Sequence, residues 1–158
     1  MVKDFFNLHR YFPTLTTCYG VLGSNGEPGC IRYCAGSSMQ SYDQDSMIGW
    51  SRERLLSVDH DDKSITYEIV DCNIGFKSYV STVRIIPGVG DQDGCMIEWI
   101  FTVDPVENWR LEDLVMKSEV GLRSMGKKME EIVAHQKTNQ TVAPCVRVFC
   151  LSAHENKI

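Results

Sequence analysis

The sequence lacks the features that would assign it at once to a membrane, secreted or nucleic-acid-binding class. No apolar run approaches the roughly 20 residues that cross a bilayer, and the first ten residues carry charges where a signal peptide has an apolar stretch. No cluster of lysine and arginine offsets the formal net charge of -5, although such clusters mark proteins that bind phosphate backbones. We therefore expect a cytoplasmic protein with no membrane span and no nucleic-acid partner.

The sequence also lacks the cysteine spacing of a metal site. Its seven cysteines are an odd number and include no Cys-x-x-Cys pair, which indicates neither a zinc site nor a disulfide framework. In a reducing compartment we interpret such cysteines as small apolar core residues. No metal is predicted.

What the sequence does have is a long region of alternating apolar and polar residues, from residue 16 to residue 103. This region breaks repeatedly at Gly, Asn, Asp and Pro, which is typical of short antiparallel strands joined by hairpins. The predicted strands are 16–23, 29–36, 46–58, 63–72, 76–86 and 94–103.

After Pro105 the apolar residues recur at three- and four-residue steps as far as about Lys137, which predicts one long amphipathic helix. Ser118 and Gly121 fall on its apolar stripe, where small side chains would leave a gap between helix and sheet. Close packing against a strand is the alternative reading of Gly121. A curved antiparallel sheet of about six strands around a long C-terminal helix is an α+β architecture, and its natural interior is a cavity.

The sequence predicts a domain at 1–137 and a tail at 138–158. The tail contains the strand-like run CVRVFCL, which either pairs with a free sheet edge or is disordered.

Strand alternation predicts which side chains face the interior, because successive residues point to opposite faces. The predicted inward set is apolar and aromatic apart from one serine: Ile65, Tyr67, Ile69, Tyr79, Ser81, Val83, Ile85, Ile97, Trp99, Phe101 and Val103.

In the second strand, parity alone leaves the direction of Arg32 open. Cys30 and Cys34 share its face and favour an inward direction, in which case the arginine needs an anionic partner. Glu53 is the predicted partner. The alternative is an outward Arg32 in a surface ion pair, the commoner arrangement for arginine.

Six stretches in colinear order resemble lachrymatory factor synthase and its plant relatives. They are VKDFFNLHRYFPTLTTCYGV, GEPGCIRY, WSRERL, ITYEIVDCNIGFKSYVSTVRI, IEWIF and MGKKMEEIV, and together they span about residues 2–134. Those proteins belong to the polyketide-cyclase, START and pollen-allergen superfamily, whose fold is called helix-grip. The resemblance therefore implies the same fold that the periodicity predicts.

The resemblance also implies a site. Arg32 and Glu53 would be the catalytic-type residues, Tyr67 and Tyr79 would direct hydroxyls toward the ligand, and Trp99 would form part of the aromatic wall. The implied reaction rearranges an alkenyl sulfenic acid to a thial S-oxide without a cofactor. The helix positions predicted to contact the ligand are Ser118, Gly121, Leu122 and Met125.

The sequence departs from the synthase pattern at Gly49 and Gly121, where bulky aromatic residues are expected, so a differently shaped cavity is predicted. The family's opening strand is absent, which we interpret as truncation rather than replacement by CVRVFCL at the vacant edge. The predicted function is binding of a small hydrophobic or amphipathic metabolite. The alternative is a cofactor-free isomerase or lyase that acts on a sulfenic acid or similar oxyanion, in which Arg32 orients the oxyanion and Glu53 moves a proton. An interaction domain with a vestigial pocket is a third possibility.

Overall fold

The computed structural model describes residues 4–37, 48–88, 94–107, 109–136 and 145–155 of the 158-residue chain. A short 3₁₀ helix at Phe5–Arg10 precedes the first strand. The remaining elements, in chain order, are β1 (Leu15–Leu22), β2 (Ile31–Gly36), β3 (Gly49–Asp59), β4 (Ser64–Cys72), β5 (Val80–Pro87), β6 (Gly94–Val103), α1 (Leu111–Gln136) and β7 (Cys145–Glu155).

The strands form one sheet in sequence order from β1 to β7. Each pair from β1–β2 to β5–β6 is antiparallel, which confirms the predicted meander of six strands followed by a long helix. The fold is the α+β arrangement expected from the periodicity.

The predicted tail strand is part of the same sheet. β7 runs parallel to β6, with Gly94 opposite Cys145 and Val103 opposite Glu155. A parallel neighbour requires a long crossover connection, and α1 lies in the connection between β6 and β7. Of the two alternatives left open for CVRVFCL, the structure has the one in which it pairs with a sheet edge.

Several strands begin later than predicted, and β5 is the clearest case. β5 starts at Val80 rather than at residue 76, because Gly75 has φ of 82° and Ser78 has φ of 49°. Both values lie in the left-handed region, which interrupts the extended backbone that a strand needs.

The hydrophobic core lies between one face of the sheet and α1. The predicted inward set supplies its sheet side: Ile65, Tyr67, Tyr79, Val83, Ile97, Phe101 and Val103 are buried, and Ile69 and Trp99 pack against them. Leu114, Leu122 and Met125 supply the helix side. Strand parity therefore sorted the two faces of β4, β5 and β6 correctly.

The segment before β1 closes one side of this core. Phe5 is only 1% exposed and belongs to the core cluster. Glycines in β1 and β2 allow the segment to approach closely: a Cβ on Gly20 would overlap the Phe6 ring, and a Cβ on Gly36 would overlap the carbonyl oxygen of Thr14. Within the described part of the chain, no helix is long and apolar enough to cross a membrane.

Candidate functional site

A cavity of about 430 Å³ lies between the sheet and α1. This volume is within the usual range of small-molecule sites. Residues from the N-terminal segment, from β1 to β4, from the segment between β4 and β5, from β6 and from α1 line it. Six of the predicted site residues are among them: Glu53, Tyr67, Tyr79, Trp99, Ser118 and Gly121.

Arg32 and Glu53 form a buried ion pair beside this cavity. They face each other in the β2–β3 register, and Arg32 is 2% exposed while Glu53 is 8% exposed. The Arg32 Nε donates to Glu53 Oε2 at 2.7 Å, and Nη2 lies 2.5 Å from the same oxygen. The outward alternative for Arg32 is therefore wrong, and the predicted pairing with Glu53 is present in the structure.

The remaining contacts of the pair fix its orientation. Arg32 Nη1 donates to the carbonyl oxygen of Phe5 at 2.9 Å, so each nitrogen of the guanidinium has a partner. The Arg32 Cζ lies 3.8 Å from the centroid of the Phe5 ring and 5.1 Å from that of Tyr67. On the carboxylate, Oε1 accepts a hydrogen bond from Ser51 Oγ at 2.8 Å. Both charges are thus held in one geometry before any ligand arrives.

Electrostatics keep the arginine charged. Burial is the largest single effect and acts to lower the pKa of Arg32, but Glu53 together with smaller contributions from Cys34, Tyr67 and Cys18 raises the pKa above its ordinary value. The guanidinium therefore stays protonated despite being almost completely buried.

The two members of the pair differ in what they face. Glu53 lines the main cavity, whereas Arg32 does not. Arg32 instead lines a separate space of about 30 Å³ together with Phe12, Trp99 and Met125, and that space is large enough for about one water molecule. A ligand in the main cavity therefore meets the carboxylate, with the arginine behind it.

Hydroxyl and aromatic side chains from β4, from the segment before β5 and from β6 also contribute to the wall. The indole Nε1 of Trp99 donates to Ser81 Oγ. Tyr79 stacks between Phe76 and Phe101, with ring centroids 5.3 Å and 5.5 Å away. Burial raises the pKa of Tyr67 and of Tyr79 well above the ordinary value for a phenol. Both phenols are therefore neutral hydrogen-bonding groups over the whole physiological range.

The helix residues of the predicted set separate into three groups. Ser118 and Gly121 line the cavity. Leu122 has no exposed surface and lies in the hydrophobic core, outside the cavity lining. Met125 contacts the small space beside Arg32 rather than the cavity.

The gap expected at Gly121 is partly filled by a residue from the N-terminal segment. A Cβ on Gly121 would lie 2.9 Å from Phe12 Cζ, and the Phe12 ring also packs edge-on against Trp99 at 6.2 Å. Gly121 is therefore closely packed, but against an aromatic ring and not against a strand.

Several cavity residues were not identified from the sequence as site residues. They include Phe12, Cys34, Trp50, Ser51, Ile74 and Phe76. Cys34 and Ser51 share the inward faces of Arg32 and Glu53, so parity alone could have added them. Phe76 lies in the irregular segment before β5, where strand alternation gives no signal.

Metal-binding groups are not clustered in the described part of the chain: it holds no set of three or more His, Cys, Asp or Glu side chains that could bind a metal ion.

A sheet that encloses a largely apolar cavity against one long C-terminal helix defines a helix-grip ligand-binding protein. Residues 1–135 match the model of the family described as polyketide cyclase / dehydrase and lipid transport, and the chain belongs to this family. Ligand binding in a hydrophobic cavity is the activity that the family suggests.

Solved structures agree on the fold. Major latex-like protein 151 from Panax ginseng superimposes with a TM-score of 0.56 at 18% identity, over 80% of each chain. An uncharacterized protein from Bacillus thuringiensis gives a TM-score of 0.56 at 22% identity, over 77% of this chain and 80% of its own. The protein XoxI from Bacillus cereus gives 0.56 at 20% identity, over 82% and 83%. At these identities the likeness extends to the fold alone.

Proposed function

We propose that the protein binds a small hydrophobic or amphipathic metabolite in the cavity between sheet and helix, with the polar end of the ligand directed at Glu53. The observation that carries the proposal is one preorganised carboxylate in a wall that is otherwise mainly apolar and aromatic. Lys117 is the other charged residue of the lining, and its Nζ lies over the ring of Trp109 at 4.0 Å from the centroid. Apolar lining with a few fixed polar groups is the usual composition of small-molecule sites.

The arrangement of the ion pair narrows the chemistry of the ligand. Because Glu53 faces the cavity and the nitrogens of Arg32 are already engaged, the ligand's polar end meets acceptor oxygens. A hydroxyl, amine or similar donor satisfies them, whereas an anionic end group would be repelled by the carboxylate. We therefore assign a donor-bearing ligand, and Arg32 acts as a positioning residue for Glu53.

Binding is tested with a neutral environment-sensitive dye, N-phenyl-1-naphthylamine, and with donor-bearing and acidic competitors of equal chain length. We expect saturable fluorescence enhancement, and stronger displacement by a long-chain alcohol or amine than by the matching carboxylic acid. No saturable binding at tens of micromolar dye would refute the cavity proposal, and preferential displacement by the acid would refute the assignment to Glu53.

A matched pair of helix variants locates the dye. Ser118 lines the cavity, whereas Met116 on the same helix is 59% exposed and does not. Ser118→Leu should raise the Kd of the dye about tenfold or more, a loss of about 1.4 kcal/mol, because the larger side chain occupies ligand space. Met116→Leu should leave the Kd unchanged, and equal behaviour of the two variants would place the dye elsewhere.

The second candidate function is a cofactor-free isomerase or lyase similar to lachrymatory factor synthase. It is supported by the sequence resemblance and by a carboxylate held at the cavity wall, where Glu53 moves a proton and Arg32 keeps it oriented. The proposed substrate is a sulfenic acid or a similar small oxygen acid. A plant source and a cytoplasmic location are part of this candidate and remain predictions.

This candidate is tested by supplying a C–S lyase and an alkenyl cysteine sulfoxide and measuring the thial S-oxide. Glu53→Gln should abolish product formation, since the amide cannot accept and return a proton. Glu68→Gln, which removes a carboxylate from an exposed ion pair on the neighbouring strand, is the control and should retain it. Unchanged product yield in Glu53→Gln removes Glu53 from the reaction.

A further inference from the structure

Two cysteines meet across the first strand pair at the wall of the cavity. Cys18 of β1 is directly opposite Cys34 of β2, and their sulfur atoms are 3.3 Å apart. Cys18 is 6% exposed and Cys34 is 2% exposed, but Cys34 also lines the main cavity. We propose that Cys18 and Cys34 are a redox-active dithiol that a hydroperoxide converts reversibly to a disulfide bond between β1 and β2.

The backbone geometry already suits the bond. Directly opposed residues in antiparallel strands have Cα atoms about 4.5–5.5 Å apart, and disulfides span about 4.4–6.8 Å. The two sulfurs have to approach from 3.3 Å to about 2.05 Å. A movement of this size is within reach of side-chain rotation, so the strands do not have to separate or slide.

The chemical environment favours oxidation of this pair. A hydrogen bond with Cys34 lowers the pKa of Cys18, against the effect of burial, and the positive charge of Arg32 acts in the same direction as the hydrogen bond. A thiolate, not a thiol, attacks a peroxide. The arginine that positions Glu53 therefore also stabilises negative charge on the neighbouring sulfur.

The reaction balances with a hydroperoxide as the only oxidant. One cysteine thiolate attacks the terminal oxygen of the peroxide, the O–O bond breaks, and an alcohol or water leaves after taking up a proton. The resulting sulfenic acid is attacked by the second thiol, which forms the S–S bond and releases water. A dithiol reductant reverses the bond by thiol–disulfide exchange.

Peptide mapping of the full chain tests the proposal. The reduced protein is treated with a small molar excess of hydrogen peroxide, and its remaining thiols are alkylated in denaturant. Chymotrypsin can cut after Tyr19 and Tyr33, which separates Cys18, Cys30 and Cys34 into different peptides. We expect a Cys18–Cys34 linked pair that dithiothreitol removes.

Cys30 is the internal control, because it is buried to the same 2% as Cys34 but is not opposite another cysteine in the strand pairing. It should be recovered alkylated. Cys95 is only partly buried and shows when peroxide has reacted with the protein. If Cys95 is oxidised while Cys18 and Cys34 are recovered as alkylated thiols, the proposal is overturned. Linkage of either residue to a different cysteine would overturn it as well.

A variant tests the two-step chemistry independently. Cys34→Ser removes the second thiol, so oxidation should stop at a sulfenic acid on Cys18 that reacts with dimedone. Cys72→Ser, which changes a cysteine elsewhere in the sheet, should still form the bond and give no adduct at Cys18. Absence of the dimedone adduct from a folded Cys34→Ser protein would contradict the assignment. If that variant fails to fold, the peptide mapping of the unsubstituted protein decides whether Cys18 and Cys34 form the disulfide.

A separate experiment tests whether the peroxide reaches Cys34 through the cavity, and this experiment rests on the proposed function. Because Cys34 lines the cavity, saturating N-phenyl-1-naphthylamine should slow formation of the disulfide several-fold while leaving oxidation of Cys95 unchanged. An unchanged rate in protein that binds the dye would refute entry through the cavity. The disulfide mapping needs no ligand, so failure of the dye to bind would refute only the proposed function.

Discussion

The buried ion pair gives the sharpest stability prediction, and Glu53→Gln is the perturbation that isolates it. The glutamine keeps the size of the side chain and one acceptor oxygen for Ser51 but removes the charge opposite Arg32. Arg32, at 2% exposed, cannot recover its hydration without unpacking Phe5. Removing one partner of a buried pair costs about 3–5 kcal/mol of unfolding free energy.

The same substitution on the neighbouring strand provides the control. Glu68 pairs with Arg54 at 2.9 Å, but the side chains are 30% and 45% exposed, and exposed pairs contribute about 0.2–1 kcal/mol. The two ion pairs thus have similar distances and chemistry and differ mainly in burial. Glu53→Gln should therefore destabilise the protein several times more than Glu68→Gln.

Urea unfolding followed by tryptophan fluorescence measures both variants, and calorimetry gives a second reading. For a chain of this length the Glu53→Gln cost corresponds to a loss of about 6–20 °C in Tm. A double variant that combines Arg32→Met with Glu53→Gln should be more stable than the sum of the single changes implies, because neither charge is then left alone. If Glu53→Gln and Glu68→Gln lower the unfolding free energy by amounts that agree within about 1 kcal/mol, burial does not set the strength of the ion pair, and the prediction is refuted.

Three further predictions follow from the packing and the pKa shifts. Burial raises the pKa of Tyr79 in the folded state, so above the unfolded value of about 10 the unfolded state releases a proton first and stability falls by about 1.4 kcal/mol per pH unit. Tyr79→Phe should remove that part of the decrease of unfolding free energy with pH, measured by urea unfolding at several alkaline pH values. Tyr19 is 52% exposed and provides the control. Equal slopes for Tyr79→Phe and Tyr19→Phe would contradict the prediction. Gly36→Ala should cost about 1–3 kcal/mol in the same assay, because its Cβ would lie 2.0 Å from the backbone oxygen of Thr14; an unchanged midpoint would mean that the N-terminal segment is not docked there. Dye at 100 times its Kd should stabilise the protein by about 2.7 kcal/mol, and a midpoint that does not move with dye concentration would separate the fluorescence signal from binding to the folded state.

The sheet could be predicted from the sequence because its signals are local. Hairpin turn residues mark the ends of the strands, and alternation assigns Tyr67, Tyr79 and Trp99 to one face before any contact is known. The same rule could not decide Arg32, since a strand of the form Cys-x-Arg-x-Cys is compatible with either direction. What decides it is the register that places Arg32 opposite Glu53 and the Phe5 ring that covers the guanidinium, and both are long-range facts.

The cavity-facing side of α1 shows more clearly what helical spacing in the sequence cannot predict. Small residues at Ser118 and Gly121 indicate room beside α1, but they do not say what occupies it. Phe12 partly fills the space at Gly121, and its position depends on how the segment before β1 docks on the sheet. Leu122 obeys the same helical spacing and yet lies in the core, because a stripe on a helix is wider than the cavity it borders.

The N-terminal segment therefore has two connected roles in the site. Its Phe5 carbonyl and ring hold the guanidinium of Arg32, and Arg32 in turn orients the Glu53 carboxylate toward the cavity. The arginine also contributes positive charge near the thiols of Cys18 and Cys34. Any change that undocks the segment, such as a side chain at Gly20 or Gly36, should consequently alter ligand binding and thiol oxidation together. A site assembled in this way depends on the packing of apolar residues outside it as much as on its own polar groups.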